Sequence, residues 1–244
     1  MFMTQGYQED LAYIHDVGFG NFSRESAPGL LEILRQKGIE KGLVVDLGCG
    51  SGIWANALTQ AGYDVLGIDI SHAMVNLAKK KALLAKFQTA SLLRVKLPKC
   101  DAITSIGECL NYQFDEHTQT DLLELFARIY EALRPGGIFI FDIAEPGYVS
   151  GDNPQKTYCE GEDWAILLQK EEDKKENKLT RKMTIFRQVG NLYRKTEEIH
   201  CVQLYKASEI AKQLRQVGFR VRITRGYGKF KFRNAQVGFL ATKA

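Results

Sequence analysis

An acidic residue and three alternating glycines follow one apolar run of this sequence, and a second acid closes the next apolar run. The segment VVDLGCGSGIW contains Asp46, then Gly48, Gly50 and Gly52, and the later segment YDVLGIDIS contains Asp69. Glycine has no Cβ, so a turn of this composition lets the backbone approach a ligand closely. A dinucleotide, a nucleoside triphosphate and a nucleoside without phosphate are the three ligands to be compared.

The spacing argues against both phosphate-bearing ligands. A P-loop requires Lys and Ser or Thr after its last glycine, whereas Gly52 is followed by Ile53 and Trp54. A dinucleotide turn has the spacing G-x-G-x-x-G, and Ile53 stands where its third glycine belongs. The Asp46 carboxylate, directed at the turn, would also repel a pyrophosphate. It suits a ligand that carries an ammonium group.

The elements that must position these residues alternate between strands and helices. A parallel sheet covered on both faces is the usual result of such alternation. We therefore predict an α/β fold with a doubly wound, mostly parallel sheet of seven strands. The predicted strands are GLVVDLG, YDVLGIDIS, KFQTAS, CDAITSIG, GGIFIFDI, RVRITRGYG and QVGFLATKA. The predicted helices cover about 29–37 (starting at Pro28), GIWANALTQAG (closed by Gly62), 71–84 (capped by Ser71), about 118–133, and SEIAKQLRQVGF (capped by Ser208).

The alternation stops between Pro154 and Tyr205, where the patterns are typical of strands. WAILLQ, LTRKMTIFRQV and LYRKTEEIHCVQLY are separated by the charged KEEDKKENK and by Gly190-Asn191, a tight-hairpin signal. In the last run the alternate residues from Leu192 to Val202 share one face. We predict a small antiparallel insertion at 154–205. The core then comprises 42–153 and 206–244, preceded by an N-terminal helical lid at 1–41.

Composition places the chain among ordinary globular proteins. It has 244 residues, a formal net charge of +4 and 45% hydrophobic residues, and neither a signal peptide nor an apolar run long enough to span a bilayer is visible. Its five cysteines never occur as C-x-x-C, which favours free thiols in a cytoplasmic protein over disulfides, and no metal site is expected. From Leu204 onward ten basic residues face one acid, Glu209. A solvated face explains such charges more often than a nucleic-acid partner does.

Several motifs in the same order resemble a known family. VVDLGCGSG resembles the first motif of class I S-adenosylmethionine-dependent methyltransferases, and Asp69 matches the family acid that binds the ribose diol. LRPGG, residues 133–137, matches the turn before the fifth strand, and the terminal helix–strand–strand is shared as well. The resemblance covers about 42–145 and 206–244, and it implies S-adenosyl-L-methionine as cofactor and S-adenosyl-L-homocysteine as product.

The resemblance also implies roles for individual residues. Asp46 would orient the turn or take the ammonium of the cofactor, Asp69 would bind the ribose, and Gly107 would lie near the sulfonium. Ser91 stands where the family usually has an acid that contacts the adenine amine, which is a departure. The full set of expected cofactor residues is Asp46, Gly48, Gly50, Asp69, Ile70, Ser91, Leu92 and Gly107, with Met74 packing on adenine.

The catalytic residues are less defined, because the cofactor brings the reactivity and the protein need only align the acceptor. The candidates are Glu108, Tyr112 and His200, with Asn111 as a further acceptor contact. No Asn/Asp-Pro-Pro-Tyr/Phe motif is present, which argues against exocyclic-amine acceptors of nucleic acids. Other side chains have both a functional and a structural interpretation: Asp142 and Glu145 as amine contacts or turn caps, His15 as a base, and Tyr13, Phe19 and Arg24 as parts of the lid.

The resulting hypothesis is an enzyme that methylates a small-molecule acceptor. The insertion and the N-terminal helices would form its acceptor pocket, or the insertion would form a homodimer contact. One alternative is an RNA or protein methyltransferase that uses the basic C-terminal end. Another is a regulatory protein that binds S-adenosylmethionine without catalysis. A membrane partner is not expected.

Overall fold

The structure of the protein is a computed structural model that describes residues 6–114, 122–151 and 153–244. Seven strands form the main sheet in the order β10-β13-β5-β4-β1-β2-β3. Only β13 runs against its neighbours, pairing antiparallel with β5 and β10. These strands are β1 Leu43–Leu47, β2 Asp64–Asp69, β3 Lys86–Thr89, β4 Cys100–Ser105, β5 Leu133–Ala144, β10 Arg220–Thr224 and β13 Gln236–Thr242.

The described residues form six α-helices, and together with the main sheet they confirm the predicted doubly wound α/β fold. The helices are α1 Glu9–Gly18, α2 Asn21–Gln36, α3 Ile53–Gln60, α4 His72–Lys81, α5 Leu122–Ala132 and α6 Ala207–Val217. Alternate residues of the central strands enter opposite cores: Val45 and Phe141 pack with α5 and α6, while Val44 and Ile140 pack with α2 and α3. Burial of both faces explains why these strands are continuous apolar runs rather than alternating ones.

The insertion forms a separate antiparallel sheet of four strands in the order β6-β7-β8-β9. Val189 pairs with Leu192 across the two residues Gly190-Asn191, so the predicted hairpin is confirmed. The predicted face of β9 is buried only toward its end, at Glu198, His200 and Val202. The strands are β6 Gln155–Glu160, β7 Trp164–Asp173, β8 Lys178–Val189 and β9 Leu192–Gln203, and a further two-stranded hairpin comprises β11 Gly226–Tyr227 and β12 Phe230–Lys231.

Several predicted boundaries differ from the observed ones. The second helix begins at Asn21 rather than at Pro28, which lies inside it. Ser208 lies within α6, whose N-cap is Lys206, whereas Ser71 caps α4 as predicted by accepting a hydrogen bond from the Met74 N–H. Strand β6 was not predicted, because all six of its residues are exposed and show no apolar alternation. Residues 118–121 of the predicted fourth helix lie outside the described residues.

The first helix packs between α4 of the core and the insertion sheet. Its apolar residues Leu11 and Ile14 pack against Trp164 and Ile166 of β7. Its buried acid Asp10 accepts a hydrogen bond from Arg194 Nε of β9 at 2.7 Å. In the part of the chain that the structure describes, no helix is both long and apolar enough to cross a bilayer.

Candidate active site

The glycine-rich turn lies at the carboxyl end of β1 and adopts backbone angles that favour glycine. Gly48 and Gly50 have φ values of 76° and 52°. A Cβ on Gly48 would lie 2.5 Å from Cys109 Sγ, so the turn packs closely against the loop after β4. A Cβ on Gly50 would have no atom within 4 Å. Gly50 therefore faces open space, as the approach of a ligand requires.

Asp69, at the end of β2, is held against this turn by two backbone donors. Its Oδ2 accepts a hydrogen bond from the Gly50 N–H at 2.8 Å, and its Oδ1 accepts one from the Ser71 N–H at 2.8 Å. Burial raises the pKa of Asp69, and these backbone donors oppose the rise. Each carboxylate oxygen can accept a second hydrogen bond, so a ligand with two adjacent hydroxyls would find two acceptors in fixed positions.

A cavity of about 1140 Å³, counting its open mouth, lies over the carboxyl ends of β1 to β4. This is where open α/β sheets bind ligands. Asp69 belongs to its lining, and so do other residues that the sequence predicts as cofactor contacts: Gly48, Gly50, Ile70, Met74, Ser91, Leu92 and Gly107. The structure therefore brings together at one surface residues from four separate strand ends.

Asp46 is the one predicted cofactor residue that does not line the cavity. It is 2% exposed, and its Oδ1 accepts a hydrogen bond from Thr104 Oγ1 at 2.7 Å. Trp54 Nε1 donates to the same Thr104 hydroxyl at 3.1 Å. Burial raises the pKa of Asp46 to about 7, against the lowering effect of the Thr104 hydrogen bond. Of its two predicted roles, this geometry favours orienting the turn through β4 and α3.

Ser91 begins a turn after β3 and lines the cavity. Its Oγ accepts a hydrogen bond from the Leu93 N–H at 3.2 Å, and its carbonyl accepts from the Arg94 and Val95 N–H groups. The hydroxyl keeps its own hydrogen free as a donor. Because the adjacent backbone also lines the cavity, a ring edge at this position would meet both a hydroxyl and a peptide group.

Asp142, near the end of β5, holds the loop after β4 through hydrogen bonds to its backbone. Its two oxygens accept hydrogen bonds from the Gly107 and Glu108 N–H groups, both at 2.9 Å, and from Gln236 Nε2 at 3.0 Å. Burial raises the pKa of Asp142 to about 6. Glu145 likewise accepts a hydrogen bond from the Ala207 N–H at 3.1 Å, at the start of α6. Both acids therefore satisfy backbone donors, which is the structural one of their two predicted interpretations.

Two of the three catalytic candidates are joined through a buried arginine that the sequence did not reveal. Arg181 of β8 donates from Nη2 to Glu108 Oε2 and from Nη1 to the Tyr112 hydroxyl, both at 2.6 Å. The Tyr112 hydroxyl also lies 3.1 Å from that of Tyr7. Tyr112 lines the cavity, and Glu108 does not. Arg181 lies in an alternating strand far along the chain, so only the fold places it here.

The two histidines that were candidates for a base have different surroundings. His200 is 1% exposed, its Nε2 lies 2.8 Å from Glu198 Oε2, and it does not line the cavity. His15 does line the cavity, and burial lowers its pKa to about 4. Among the described residues, no partner forms a hydrogen bond with its buried Nδ1. His15 is therefore neutral near pH 7, and His200 packs against the rings of Tyr7, Tyr112 and Phe114, which line the cavity.

The N-terminal segment covers this cavity and is hydrogen-bonded to its rim. Ser51 Oγ donates to Asp16 Oδ1, and Ser71 Oγ donates to the Tyr7 carbonyl, each at 2.6 Å. Of the two aromatic lid candidates, Phe19 lines the cavity, as do Tyr7 and Phe22 of the same segment, whereas Tyr13 donates to Asp163 at 2.9 Å. Arg24 bonds within the segment, to Asn21 and to the Asp16 carbonyl.

Comparisons with known proteins agree with this geometry. The sequence profile of the family described as "Methyltransferase domain" matches residues 20–223. A protein of Bacillus subtilis (strain 168) whose name includes the word methyltransferase, YqeM, is 27% identical over 194 residues, 76% of this chain and 76% of that protein. The dTDP-3-amino-3,4,6-trideoxy-alpha-D-glucopyranose N,N-dimethyltransferase of Streptomyces venezuelae is 22% identical over 232 residues, 90% of this chain and 94% of that protein.

The fold itself is also shared with a solved structure. The crystal structure of an S-adenosylmethionine-dependent methyltransferase from Clostridium acetobutylicum ATCC 824 superposes with a TM-score of 0.81 at 19% identity, covering 96% of this chain and 97% of that one. Because the family profile spans most of the sequence, the chain belongs to the methyltransferase-domain family and is an S-adenosylmethionine-dependent methyltransferase.

Proposed function

We propose that this enzyme methylates a small molecule, which binds in the cavity beside the cofactor. The observation that carries the proposal is the position of Asp69. Its two oxygens, fixed by the Gly50 and Ser71 N–H groups, face a cavity that α1 covers from the opposite side. A nucleoside diol fits these acceptors, and the covered remainder of the cavity suits an acceptor of limited size.

The residues of the turn and of β2 and β3 fit S-adenosylmethionine part by part. Asp69 would hold the ribose hydroxyls, Ile70 and Met74 would pack on the adenine, and Ser91 with Leu92 would pair with its edge. Gly48 and Gly50 would lie along the methionine part, with Gly107 near the sulfonium. When bound, the cofactor supplies a methyl group that is already activated by the positive charge on sulfur.

The work left to the protein is to orient the acceptor and to exclude water. Tyr112 lines the cavity at the end of β4, where the Arg181 and Tyr7 contacts fix its hydroxyl. Tyr112 is therefore the candidate to contact the acceptor directly. Glu108 and His200 would position Tyr112 and its neighbours, since neither lines the cavity. A general base is needed only for an acceptor that arrives protonated.

A small-molecule acceptor is supported by the covered cavity and by the name of one relative, which specifies an amino-sugar nucleotide. The alternative acceptor, RNA or protein, depends on the basic residues near the C-terminus. Those of β10, such as Arg220 and Arg222, lie on the edge strand of the main sheet, with β13, β5 and β4 between β10 and β1. Arg220 and Arg222 are therefore separated by three strands from β1, whose glycine-rich turn would contact the cofactor.

The acceptor class is tested by incubating the protein with methyl-labelled S-adenosylmethionine and an extract split into an ultrafiltrate and a macromolecular fraction. We expect label to enter the ultrafiltrate compounds and to depend on Asp69. Label that is retained with macromolecules and lost after RNase or protease treatment would support the alternative acceptor instead. Tight binding of S-adenosylhomocysteine with no labelled product in either fraction would favour a regulatory protein without catalysis.

A further inference from the structure

Four aromatic side chains form a wall at one end of the cavity, and we call this group the aromatic wall. Its members touch one another: the Tyr7 ring centroid lies 5.2 Å from that of His15 and 6.1 Å from that of Tyr112, and Tyr112 stacks on Phe114 at 4.8 Å. All four line the cavity. Two come from the N-terminal segment and two from the loop after β4, so the wall exists only in the folded chain.

The aromatic wall lies at the end of the cavity where an acceptor would bind, if the proposed function is correct. Tyr112 and Phe114 follow β4, whereas the diol acceptor Asp69 and the ring-edge residue Ser91 follow β2 and β3. In the sheet, β1 lies between β4 and β2. A nucleoside held by Asp69 and Ser91 would therefore lie toward β2 and β3, which would leave the end of the cavity beside the loop after β4 for the acceptor.

The charges around the cavity disfavour an anionic acceptor. Among the described residues that line it, Asp69 is the one carboxylate, and there is no lysine or arginine. Behind the wall, Arg181 donates to the Tyr112 hydroxyl and lies over the Tyr112 ring at 5.5 Å, and its charge is paired with that of Glu108. A phosphate or carboxylate entering this cavity would lose its hydration without gaining a cation. The faces of aromatic rings carry negative potential and attract cations.

We infer that the acceptor is a small amine without an anionic group, held against the aromatic wall. The acceptor nitrogen donates its lone pair to the methyl carbon as the carbon–sulfur bond breaks and its electron pair stays on sulfur. Positive charge thereby moves from sulfur to nitrogen, where the rings of the aromatic wall would stabilise it. A nitrogen that carried hydrogen then releases one proton to solvent. The inference rests on the proposed function and narrows its acceptor to one that differs from the phosphate-bearing amino-sugar nucleotide in the name of one relative.

Three probes of similar shape and different charge test this inference. They are choline, its neutral isostere 3,3-dimethylbutan-1-ol and the anion 3,3-dimethylbutanoate. Each is titrated into the full chain saturated with S-adenosylhomocysteine, with binding followed by ligand-observed NMR. We expect choline to bind at least about threefold more tightly than the alcohol, because of the cation–π attraction, and the carboxylate to bind most weakly. A carboxylate that binds as well as the alcohol, or choline that binds no better than the alcohol or not at all, would overturn the inference.

Two variants at one position test whether the aromatic wall causes the preference for choline over the alcohol. Tyr7→Phe keeps the ring, and Tyr7→Leu removes it, while both lose the hydroxyl contact with Tyr112. We expect Tyr7→Phe to retain the preference for choline over the alcohol and Tyr7→Leu to lose most of it, each variant being measured at saturating S-adenosylhomocysteine. Equal preferences in the two variants would contradict the role of the ring. Failure of the wild-type chain to bind S-adenosylhomocysteine would instead reject the proposed function.

Discussion

The Asp16 carboxylate of α1 accepts a hydrogen bond from Ser51 Oγ at 2.6 Å and also contacts the Lys81 ammonium group of α4. Ser51 belongs to the glycine-rich turn, so one acid joins the covering helix to the segment that would contact the cofactor. This contact connects closure of the N-terminal segment to the shape of the turn.

Removing this contact should loosen the cover without unfolding the core. We expect Asp16→Ala to weaken closure by about 1.5–3 kcal/mol, the usual contribution of a hydrogen bond to a charged group. S-adenosylhomocysteine should then dissociate several-fold faster in stopped-flow measurements. Val17→Ala is the matched control, because Val17 is exposed on the same helix. Equal dissociation rates in the two variants would show that α1 does not retain the ligand.

Replacing one partner of the Glu108–Arg181 pair should lower the free energy of unfolding more than replacing both partners. Arg181→Met leaves the buried Glu108 without its cation and should destabilise the fold by about 3–5 kcal/mol, as for other broken buried pairs. Adding Glu108→Gln should recover part of that loss, because the double variant no longer buries a lone charge. Urea denaturation of the wild type, both single variants and the double variant completes the cycle. Additive losses would mean that the two side chains do not interact.

Asp46 should make the stability of the ligand-free protein depend on pH. Burial raises its pKa in the folded state from 3.8 to about 7. The folded state therefore binds the proton more tightly than the unfolded state. The stabilisation that the proton on Asp46 gives the folded state is complete below about pH 4 and is lost as the pH rises to about 7. Asp46→Asn, which keeps an acceptor for Thr104, should be more stable than the wild type at pH 8, by up to on the order of 4 kcal/mol.

The comparison is made by urea denaturation at pH 4.5 and pH 8. The increase in the free energy of unfolding caused by Asp46→Asn should be smaller at pH 4.5, where wild-type Asp46 is protonated in the folded state. Asp64→Asn, at an exposed position of the adjacent strand β2, is the control and should show no such trend. A gain of the same size at both pH values would exclude a titrating Asp46 as its cause.

Gly50 and Gly62 provide a matched test of the open space at the turn. Both have positive φ, 52° and 90°, and a Cβ on either would have no atom within 4 Å. Alanine at either position should therefore cost a similar backbone strain of about 1–2 kcal/mol. Only Gly50 lines the cavity. We expect Gly50→Ala to lose S-adenosylhomocysteine affinity and Gly62→Ala to keep it, as measured by calorimetry; unchanged affinity in Gly50→Ala would place the ligand elsewhere.

The local parts of this architecture were predictable from the sequence. The glycine turn, Asp69, the Ser71 cap and the Gly190-Asn191 hairpin each depend on a few neighbouring residues whose conformational preferences agree with the fold. The start of α2 was predicted wrongly because Pro28 was taken as a first-turn residue. The structure instead includes Pro28 within a helix whose buried residues pack on the core.

The parts that were not predictable depend on contacts between distant segments. Asp16 meets Ser51, and Arg181 meets Glu108 and Tyr112, only after the insertion and the N-terminal helix have packed on the main sheet. Neither acid has a sequence signature that distinguishes it from a surface residue. Asp46 does stand in a recognisable motif, which indicated either a ligand contact or an orienting role, and only the fold shows that its carboxylate bonds to Thr104 within the sheet.

The central claim is that Asp69 and the bare backbone at Gly50 hold a nucleoside that carries no phosphate. Isothermal titration of the wild type with S-adenosylhomocysteine and with NAD tests it most directly, with Asp69→Ala and the control Asp64→Ala measured alongside. We expect the wild type and the control to bind S-adenosylhomocysteine and not NAD, and Asp69→Ala to lose more than about 1 kcal/mol of binding free energy. Binding of NAD, or unchanged affinity in Asp69→Ala, would contradict the claim.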